Sequence, residues 1–324
     1  MLSLAFCKQW RITWTGILRV ASLPKDWIDL HCHSTASDGR LTPQKLIELA
    51  SQLQLRALAL TDHDTVAGLR SFHDIGKAHG IETISGVEIS AEYSRGTMHI
   101  VGLFVDTSSQ AFRSFLKNLS EGRKIRNPQI VQRLNELGVT ITMQEVEEEA
   151  GCVDNGTGGG ALDAKSVGRP HIAAVMIRKG FVKTKQEAFD RYLSKGKPAY
   201  FTRFAASPQE TIEQIHSASG LAILAHPPYL KARDEAELEG IVADLKARGM
   251  DGIEVHYSTH TPEETAQCQR LAEKFDLAIS GGSDFHGEVG RGGTNVELAS
   301  GVGNNLCIPY SVLEKLKERR AKRR

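Results

Sequence analysis

The chain has 324 residues, of which 40% are hydrophobic, and a formal net charge of +1. This length suits one large domain or one barrel with an inserted lobe, since α/β barrels typically run to about 250 residues. The near-neutral charge indicates neither an acidic nor a basic partner, and no apolar stretch reaches the roughly 20 residues that span a bilayer, so no membrane association is expected.

The five cysteines, at positions 7, 32, 152, 268 and 307, form no C-x-x-C pair. The sequence therefore predicts neither a zinc ribbon nor a disulfide framework, and it favours a reducing, cytoplasmic location. Residues 1–26 lack the uninterrupted apolar run of a signal peptide. We interpret them as an N-terminal extension, with a membrane-surface helix as the alternative.

From Trp27 onwards, short apolar runs alternate with amphipathic stretches. W-I-D-L-H-C-H predicts a strand, and Thr42 and Pro43 are typical of the N-cap and first position of the helix that follows. A-L-A-L-T-D-H-D predicts the next strand, before a helix that ends at Gly80. E-T-I-S-G-V-E-I-S and M-H-I-V-G-L-F-V-D predict two further strands.

Residues 108–202 break this alternation. They contain two predicted helical stretches around 111–120 and 127–138, a Gly-rich loop G-T-G-G-G-A-L, and a helix that begins at R-P-H-I-A-A. We interpret the segment as an inserted helical lobe over the mouth of a metal-binding barrel formed by residues 27–107 and 203–310. The Gly-rich loop lacks the Lys-Ser/Thr ending of a P-loop, which argues against a phosphate cradle there.

The alternation returns after the insertion. Helices are predicted over 208–219, 235–248 and 262–275, and strands at L-A-I-L-A-H-P-P, G-I-E-V-H-Y and L-A-I-S-G-G-S-D-F-H. Apolar strands between helices favour a parallel sheet, and about seven strands favour an incomplete or distorted barrel. Residues 311–324 predict a basic C-terminal helix, whose end is either simply solvated or weakly attracted to nucleic acid.

Three motifs point to metal chemistry: H-C-H-S-T-A-S-D-G from His31, T-D-H-D from Thr61, and S-D-F-H from Ser283. Side chains alternate along a strand, so His31 and His33 point the same way, as do Asp284 and His286. We expect these motifs at the C-terminal strand ends, where barrels place their chemistry. The further candidate ligands are Glu88, a carboxylate that can bridge two ions, His99 and His226. Mixed histidine and carboxylate ligands suit Mn²⁺, Fe²⁺ or Zn²⁺.

In chain order, H-C-H-S-T-A-S-D-G, T-D-H-D-T-V-A-G, G-V-E-I-S, A-H-P and G-S-D-F-H resemble the polymerase and histidinol phosphatase (PHP) family. The resemblance covers residues 27–309 and implies a distorted (β/α)₇ TIM-like barrel with two or three divalent ions, Mn²⁺ first among them. It implies a first ion on His31, His33, Glu88 and Asp284, and a second that shares Glu88 and adds His99 and His226. A third ion would take Asp38, His63 and His286; some members have a histidine where this chain has Asp38.

The segment V-G-R-P-H-I-A is most similar to the PHP branch that removes the 3′-phosphate from 3′,5′-bisphosphonucleosides, and similar members are 5′-to-3′ exoribonucleases. The implied substrate is therefore a nucleotide or short RNA with a 5′-phosphate, attacked by a hydroxide that bridges two ions; no obligate protein partner is indicated. The implied catalytic residues are His31, His33, Glu88, His226 and Asp284.

A second phosphate needs its own binding residues. Arg169 and His171 are the first candidates, since Pro170 starts a helix whose N-terminus favours anions. Arg123, Arg126 and Asn127 are the second group, because arginine binds phosphate in bidentate fashion.

Other residues are expected to support the site. Asp62 or Asp64 is expected to orient His63, and Glu254 and His256 either support the site or contact substrate. Two other functions remain open: a histidinol-phosphate phosphatase, and a degenerate, non-enzymatic PHP module that binds nucleic acid.

Overall fold

Eight strands form the centre of the molecule, as described by a computed structural model over residues 26–152, 165–287 and 295–323. Residues 1–25 of the predicted extension, and the Gly-rich loop of the insertion, lie outside these ranges. The strands are β1 (Trp27–Cys32), β2 (Ala57–Leu60), β3 (Glu82–Ala91), β4 (Met98–Leu103), β5 (Leu221–Leu224), β6 (Gly252–Tyr257), β7 (Ala278–Gly282) and β8 (Ile308–Pro309).

The described residues contain ten α-helices, and those outside residues 108–202 begin and end close to the predicted positions. Thr42 caps the first helix, because its Oγ1 accepts a hydrogen bond from Lys45 N at 3.2 Å, and Gly80 ends the second with φ 69°. They are α1 (Pro43–Gln52), α2 (Leu69–His79), α3 (Gln110–Glu136), α4 (Met143–Glu149), α5 (Arg169–Arg178), α6 (Lys185–Ala188), α7 (Pro208–Ser217), α8 (Glu235–Ala247), α9 (Pro262–Lys274) and α10 (Tyr310–Arg323).

The prediction of a parallel sheet is wrong at β4. The strand order is β7-β6-β5-β4-β3-β2-β1-β8, and β4 runs antiparallel to both β3 and β5. Only residues 92–97 join β3 to β4, whereas a parallel crossover needs a dozen or more residues. The reversal brings the beginning of β4, with His99, to the same rim as the C-terminal ends of the parallel strands.

The sheet closes almost completely between β7 and β1. His33 N donates to Phe285 O at 2.9 Å, and Asp284 N donates to His31 O at 2.8 Å. Gly282 permits this approach, since a Cβ there would lie 2.3 Å from His31 Cβ. Seven strands therefore make the distorted barrel that was predicted, and the unpredicted eighth adds a two-residue antiparallel pairing to β1.

The C-terminal helix α10 packs on the barrel. Its Leu313 and Leu316 join a buried cluster with Ile28, Ala57 and Ile223 from the strands. Its cations also bind the barrel: Arg319 pairs with Asp276, Arg320 Nε donates to Ser219 O, and Arg323 pairs with Asp251. These three arginines therefore contact the barrel, whereas the sequence had predicted that this end of the helix would be surrounded by solvent.

The insertion differs from prediction in its first helix. Two helical stretches were expected, but α3 is one helix of 27 residues that continues through Pro128. A proline inside a helix removes a backbone donor and favours a break. Here Ile130 and Leu134, in the far half of α3, belong to the buried apolar cluster that also contains Ile172 and Met176 of α5, and burial in this cluster favours a continuous helix.

Candidate metal centre

Four predicted ligands meet at the seam between β1 and β7. The ligand atoms of His31, His33, Glu88 and Asp284 all lie within 4.8 Å of one another, and all four residues are buried. His33 Nε2 is 3.0 Å from Asp284 Oδ1 and 3.2 Å from Glu88 Oε2. His31 Nε2 is 3.4 Å from each of the same two oxygens. The geometry brings together the first predicted ligand set.

Glu88 also faces a second group of rings. Its Oε1 is 2.5 Å from His99 Nδ1 and 2.9 Å from His226 Nε2, while its Oε2 is 2.9 Å from His63 Nδ1. Glu88 was expected at a strand end, but it lies inside β3, in the half that pairs with β4. The two carboxylate oxygens therefore face different histidines, as a bridging ligand requires.

Asp38 forms the third group with three rings. Its Oδ1 lies 3.2 Å from His286 Nε2 and 3.9 Å from both His33 Nδ1 and His63 Nε2. His63 thus faces two groups, with Nδ1 towards Glu88 and Nε2 towards Asp38. The three groups are neighbours in one continuous cluster.

The donor set fits divalent cations. Buried polar atoms normally have hydrogen-bond partners, yet His31 Nε2, His33 Nε2, Glu88 Oε2 and Asp284 Oδ1 have none. Burial lowers the pKa of His33, but the carboxylates of Asp284 and Glu88 outweigh it and raise this pKa to about 10. Because metal ligands must be deprotonated, a cation would compete with protons for these atoms. Converging nitrogens and carboxylate oxygens suit Mn²⁺, Fe²⁺ or Zn²⁺.

Buried carboxylates hold the ligand-bearing segments in place. Glu254 Oε1 accepts from His31 Nδ1 at 2.8 Å, and its Oε2 accepts from His226 N at 2.7 Å. This contact places the proton on Nδ1 and leaves Nε2 of His31 facing the cluster. Asp29 accepts from Ser283 N and Oγ, in the segment that contains Asp284.

The expectation that Asp62 or Asp64 orients His63 is wrong. Asp62 accepts from Ser34 N at 2.8 Å and from Ser37 Oγ at 2.5 Å, so it fixes the loop between His33 and Asp38. Asp64 has φ 54°. Its carboxylate accepts from Arg123 Nε at 2.9 Å and Arg203 Nη2 at 2.8 Å. The two carboxylates therefore hold the surroundings of the cluster rather than the His63 ring.

A cavity of about 590 Å³ opens beside the cluster. Its wall includes Asp38, His63 and His99 of the cluster together with four arginines, Arg123, Arg126, Arg169 and Arg203. Arg126 is only 4% exposed. Burial and the neighbouring Arg123, Arg169 and Arg203 lower its pKa. The four arginines and Lys195 outnumber the carboxylates of Asp38 and Glu92 on the wall and of Asp64 behind it, so the wall favours an anion.

The predicted phosphate-binding residues divide into two groups. Arg123, Arg126 and Arg169 lie on the cavity wall. His171 and Asn127 are engaged behind it. His171 Nδ1 accepts from Gly168 N at 3.1 Å and its ring also bonds the Ser37 backbone, while Asn127 Oδ1 accepts from Arg126 Nη2 at 2.8 Å.

Comparisons with known proteins agree with this geometry. Residues 29–154 match the PHP domain family. A 3′,5′-nucleoside bisphosphate phosphatase of Chromobacterium violaceum is 36% identical over 271 residues, which cover 82% of this chain and 89% of that protein. The chain belongs to the PHP domain family. A 5′-3′ exoribonuclease of Haemophilus influenzae is 37% identical over 276 residues, covering 85% of this chain and 96% of that protein.

A solved structure extends the comparison. It comes from Bifidobacterium adolescentis and is described as a metal-dependent phosphoesterase. The two structures superpose with a TM-score of 0.75 at 29% sequence identity, over 92% of this chain and 97% of that chain. The predicted family and barrel are thereby confirmed, and the PHP chain is a hydrolase. Divalent metal ions are supported as its cofactors. No helix in residues 26–152, 165–287 and 295–323 has the length and apolarity to cross a membrane.

Sequence reasoning missed three residues around this PHP centre. Tyr257 donates its hydroxyl to Asp284 Oδ2 at 2.6 Å, and Asp29 and Arg203 act as described above. The sequence did indicate a role for Asp29, because a carboxylate inside an apolar strand needs a partner when it is buried. Arg203 follows the insertion in no recognisable motif, and its role depends on a partner 139 residues away.

Proposed function

We propose that this PHP chain is a metal-dependent phosphoesterase that removes the 3′-phosphate from 3′,5′-bisphosphonucleosides and also trims short 5′-phosphorylated RNA. The observation behind this proposal is that one cavity is lined by both the candidate metal ligands and the four guanidiniums. A substrate with two phosphate groups matches this pair of subsites. One relative is named for a nucleoside 3′,5′-bisphosphate and the other for RNA.

The proposed ligands follow the three groups. The first ion takes His31, His33, Glu88 and Asp284; the second takes Glu88, His99 and His226; the third takes Asp38, His63 and His286, with Mn²⁺ as the expected metal. The positions of His33 beside Asp38 and of His63 beside Glu88 support a closely coupled cluster. When bound, such ions supply a water of lowered pKa and neutralise phosphate charge.

The side chains of the PHP chain do the positioning. Glu254 keeps the His31 proton on Nδ1, and Tyr257 binds Asp284 Oδ2, so that Oδ1 faces the cluster. Arg126 and its neighbouring guanidiniums hold the phosphate that does not react. Because Arg126 is buried and bound to Asn127, it loses little side-chain freedom when it binds an anion.

Asp284→Asn tests the mechanism against a matched surface control, Asp244→Asn. Asp244 is 58% exposed and pairs with Arg248 on α8. We expect Asp284→Asn to lower metal-stimulated phosphate release from adenosine 3′,5′-bisphosphate by more than roughly 100-fold, the upper end of the effect of an outer partner. The control should match the parent protein. Full activity in Asp284→Asn would contradict the mechanism.

The alternative substrates make different demands on the cavity. Histidinol phosphate has an ammonium group and a single phosphate, so the guanidinium wall opposes its binding. A direct comparison of its turnover with that of adenosine 3′,5′-bisphosphate separates the two functions. For RNA, 5′-phosphorylated oligonucleotides should be cleaved in preference to the same oligonucleotides with a 5′-hydroxyl. A non-enzymatic module is disfavoured because the candidate ligand set is complete.

A further inference from the structure

An exposed aromatic side chain, Phe204, lies on the wall of the phosphate cavity. Four large apolar side chains are exposed in the described part of the chain: Ile125, Leu137, Ile177 and Phe204. Only Phe204 lines the cavity, and it is 50% exposed. Apolar surface left in water is unfavourable by about 25 cal/mol per Å². Its place beside a ligand site therefore suggests a ligand with an apolar face.

The other aromatic residues of the wall already have partners. Phe189 and Phe201 pack against the apolar core of the insertion, and Tyr93 packs against the main core. The guanidinium of Arg169 lies 5.6 Å from the Phe189 ring centroid and 5.7 Å from that of Tyr200. Among the described residues, Phe204 belongs to none of the three apolar clusters. It is thus the aromatic wall residue with a free ring face.

The backbone of Phe204 is held rigidly. Gly122 of α3 packs so closely that a Cβ there would lie 3.2 Å from Phe204 Cβ. Phe204 O accepts from Arg203 Nη1 at 2.9 Å, and Arg203 also binds the buried Asp64. The position of Phe204 is therefore fixed relative to the guanidinium of Arg203. A ligand that stacks on the Phe204 ring meets a preorganised surface.

We infer that Phe204 stacks on the nucleobase of the substrate. The inference rests on the proposed function for the identity of the ligand. In a bisphosphonucleoside, one ribose joins the base to both phosphates, so all three parts must lie in the same cavity. Stacking on an aromatic side chain accepts any base, because every base has a π-face. Phe204 thereby makes the site selective for nucleotides over sugar phosphates, with little preference among bases.

Two substrates isolate the contribution of the base: adenosine 3′,5′-bisphosphate and the base-free ribose 3,5-bisphosphate analogue. Phe204→Ala should lower kcat/KM for the nucleotide by roughly 5- to 150-fold, the range of measured base stacking, and leave the base-free substrate unchanged. Phe204→Trp should restore nucleotide turnover. The control is Ile125→Ala, which removes another exposed apolar side chain, 68% exposed on α3, and should change neither rate.

Equal losses on both substrates, or no loss on the nucleotide, would overturn the inference. Calorimetry provides a readout that does not depend on turnover: parent protein should bind AMP more tightly than ribose 5-phosphate, and Phe204→Ala should remove that difference. If neither substrate is hydrolysed but this binding difference and its loss are observed, the proposed reaction fails and the stacking role stands. If hydrolysis is observed without the binding difference, the stacking role fails alone.

Discussion

The replacement Asp64→Asn tests how the insertion is joined to the barrel. Asp64 is buried, accepts from Ser90 N at 3.1 Å, and pairs with Arg123 of α3 and with Arg203. Burial alone would raise the pKa of Asp64, but the attraction of Arg123 and Arg203 outweighs it and lowers this pKa. Asparagine keeps the size of the side chain and removes its charge, so two guanidiniums lose their carboxylate.

The expected loss of stability can be estimated from the exposure of the partners. Removing one partner from a buried ion pair costs about 3–5 kcal/mol. The side chains of Arg123 and Arg203 keep 11% and 8% exposure towards the cavity, and Arg203 keeps its bond to Phe204 O. We therefore expect the lower end, about 3 kcal/mol. For 324 residues, at about 2.1 cal/mol/K per residue, this lowers Tm by roughly 4–5 °C.

Thermal and urea unfolding measure the effect, with Glu121→Gln as the control. Glu121 pairs with Lys124 on the exposed side of α3, where such a pair contributes about 0.5 kcal/mol or less. Since the folded pKa of Asp64 is depressed, its stabilisation is present above the unfolded pKa of about 4 and is lost as pH falls below it. The difference between parent and Asp64→Asn should be constant above about pH 5 and shrink towards pH 3. Equal melting of Asp64→Asn and the control, or a difference independent of pH, would refute the reasoning.

Three further predictions concern the site. Glu254→Gln weakens the acceptor of the His31 Nδ1 proton, so metal affinity in a competitive chelator titration should fall about 10- to 100-fold. Arg126→Ala should raise KM for adenosine 3′,5′-bisphosphate but not for adenosine 3′-phosphate. Because Arg126 is buried among three cations, calorimetric Tm should not fall. Gly282→Ala forces a Cβ to within 2.3 Å of His31 Cβ, so metal content of the purified variant should drop.

The ligands on strands were predictable for a physical reason. Two residues apart on a strand share a face, and this rule predicts His31 beside His33. The same rule was wrong for Asp284 and His286, because β7 ends at Gly282 and Asp284 lies in the loop that follows, with φ 55°. The position of His99 could not be predicted from this rule. It lies at the rim because β4 is antiparallel, and the alternation of strands and helices does not reveal that direction. The short link 92–97 was the available signal. Local rules also failed at Pro128, where burial of the far half of α3 in the apolar cluster of the insertion overrides the tendency of proline to break a helix.

The cavity wall was only partly predictable. Arg123 and Arg126 were expected from residue type, but Arg203 joins them through Asp64, across 139 residues of sequence. His171 was chosen for its place at a helix N-terminus. The structure places its Nδ1 in a hydrogen bond from Gly168 N, and His171 is not on the cavity wall. Sequence shows which side chains are suited to bind phosphate, whereas tertiary packing decides which of them reach the cavity.

The central claim is that Glu88 joins a polynuclear metal centre. Elemental analysis of the purified chain beside Glu88→Gln tests it most directly, because both oxygens of Glu88 face candidate ligand histidines. We expect about two or more divalent ions per parent chain, as in two-metal hydrolases, and fewer than about one in the variant, with parallel loss of phosphate release. A parent protein with well under one ion per chain, or a variant with undiminished metal content, would contradict the account.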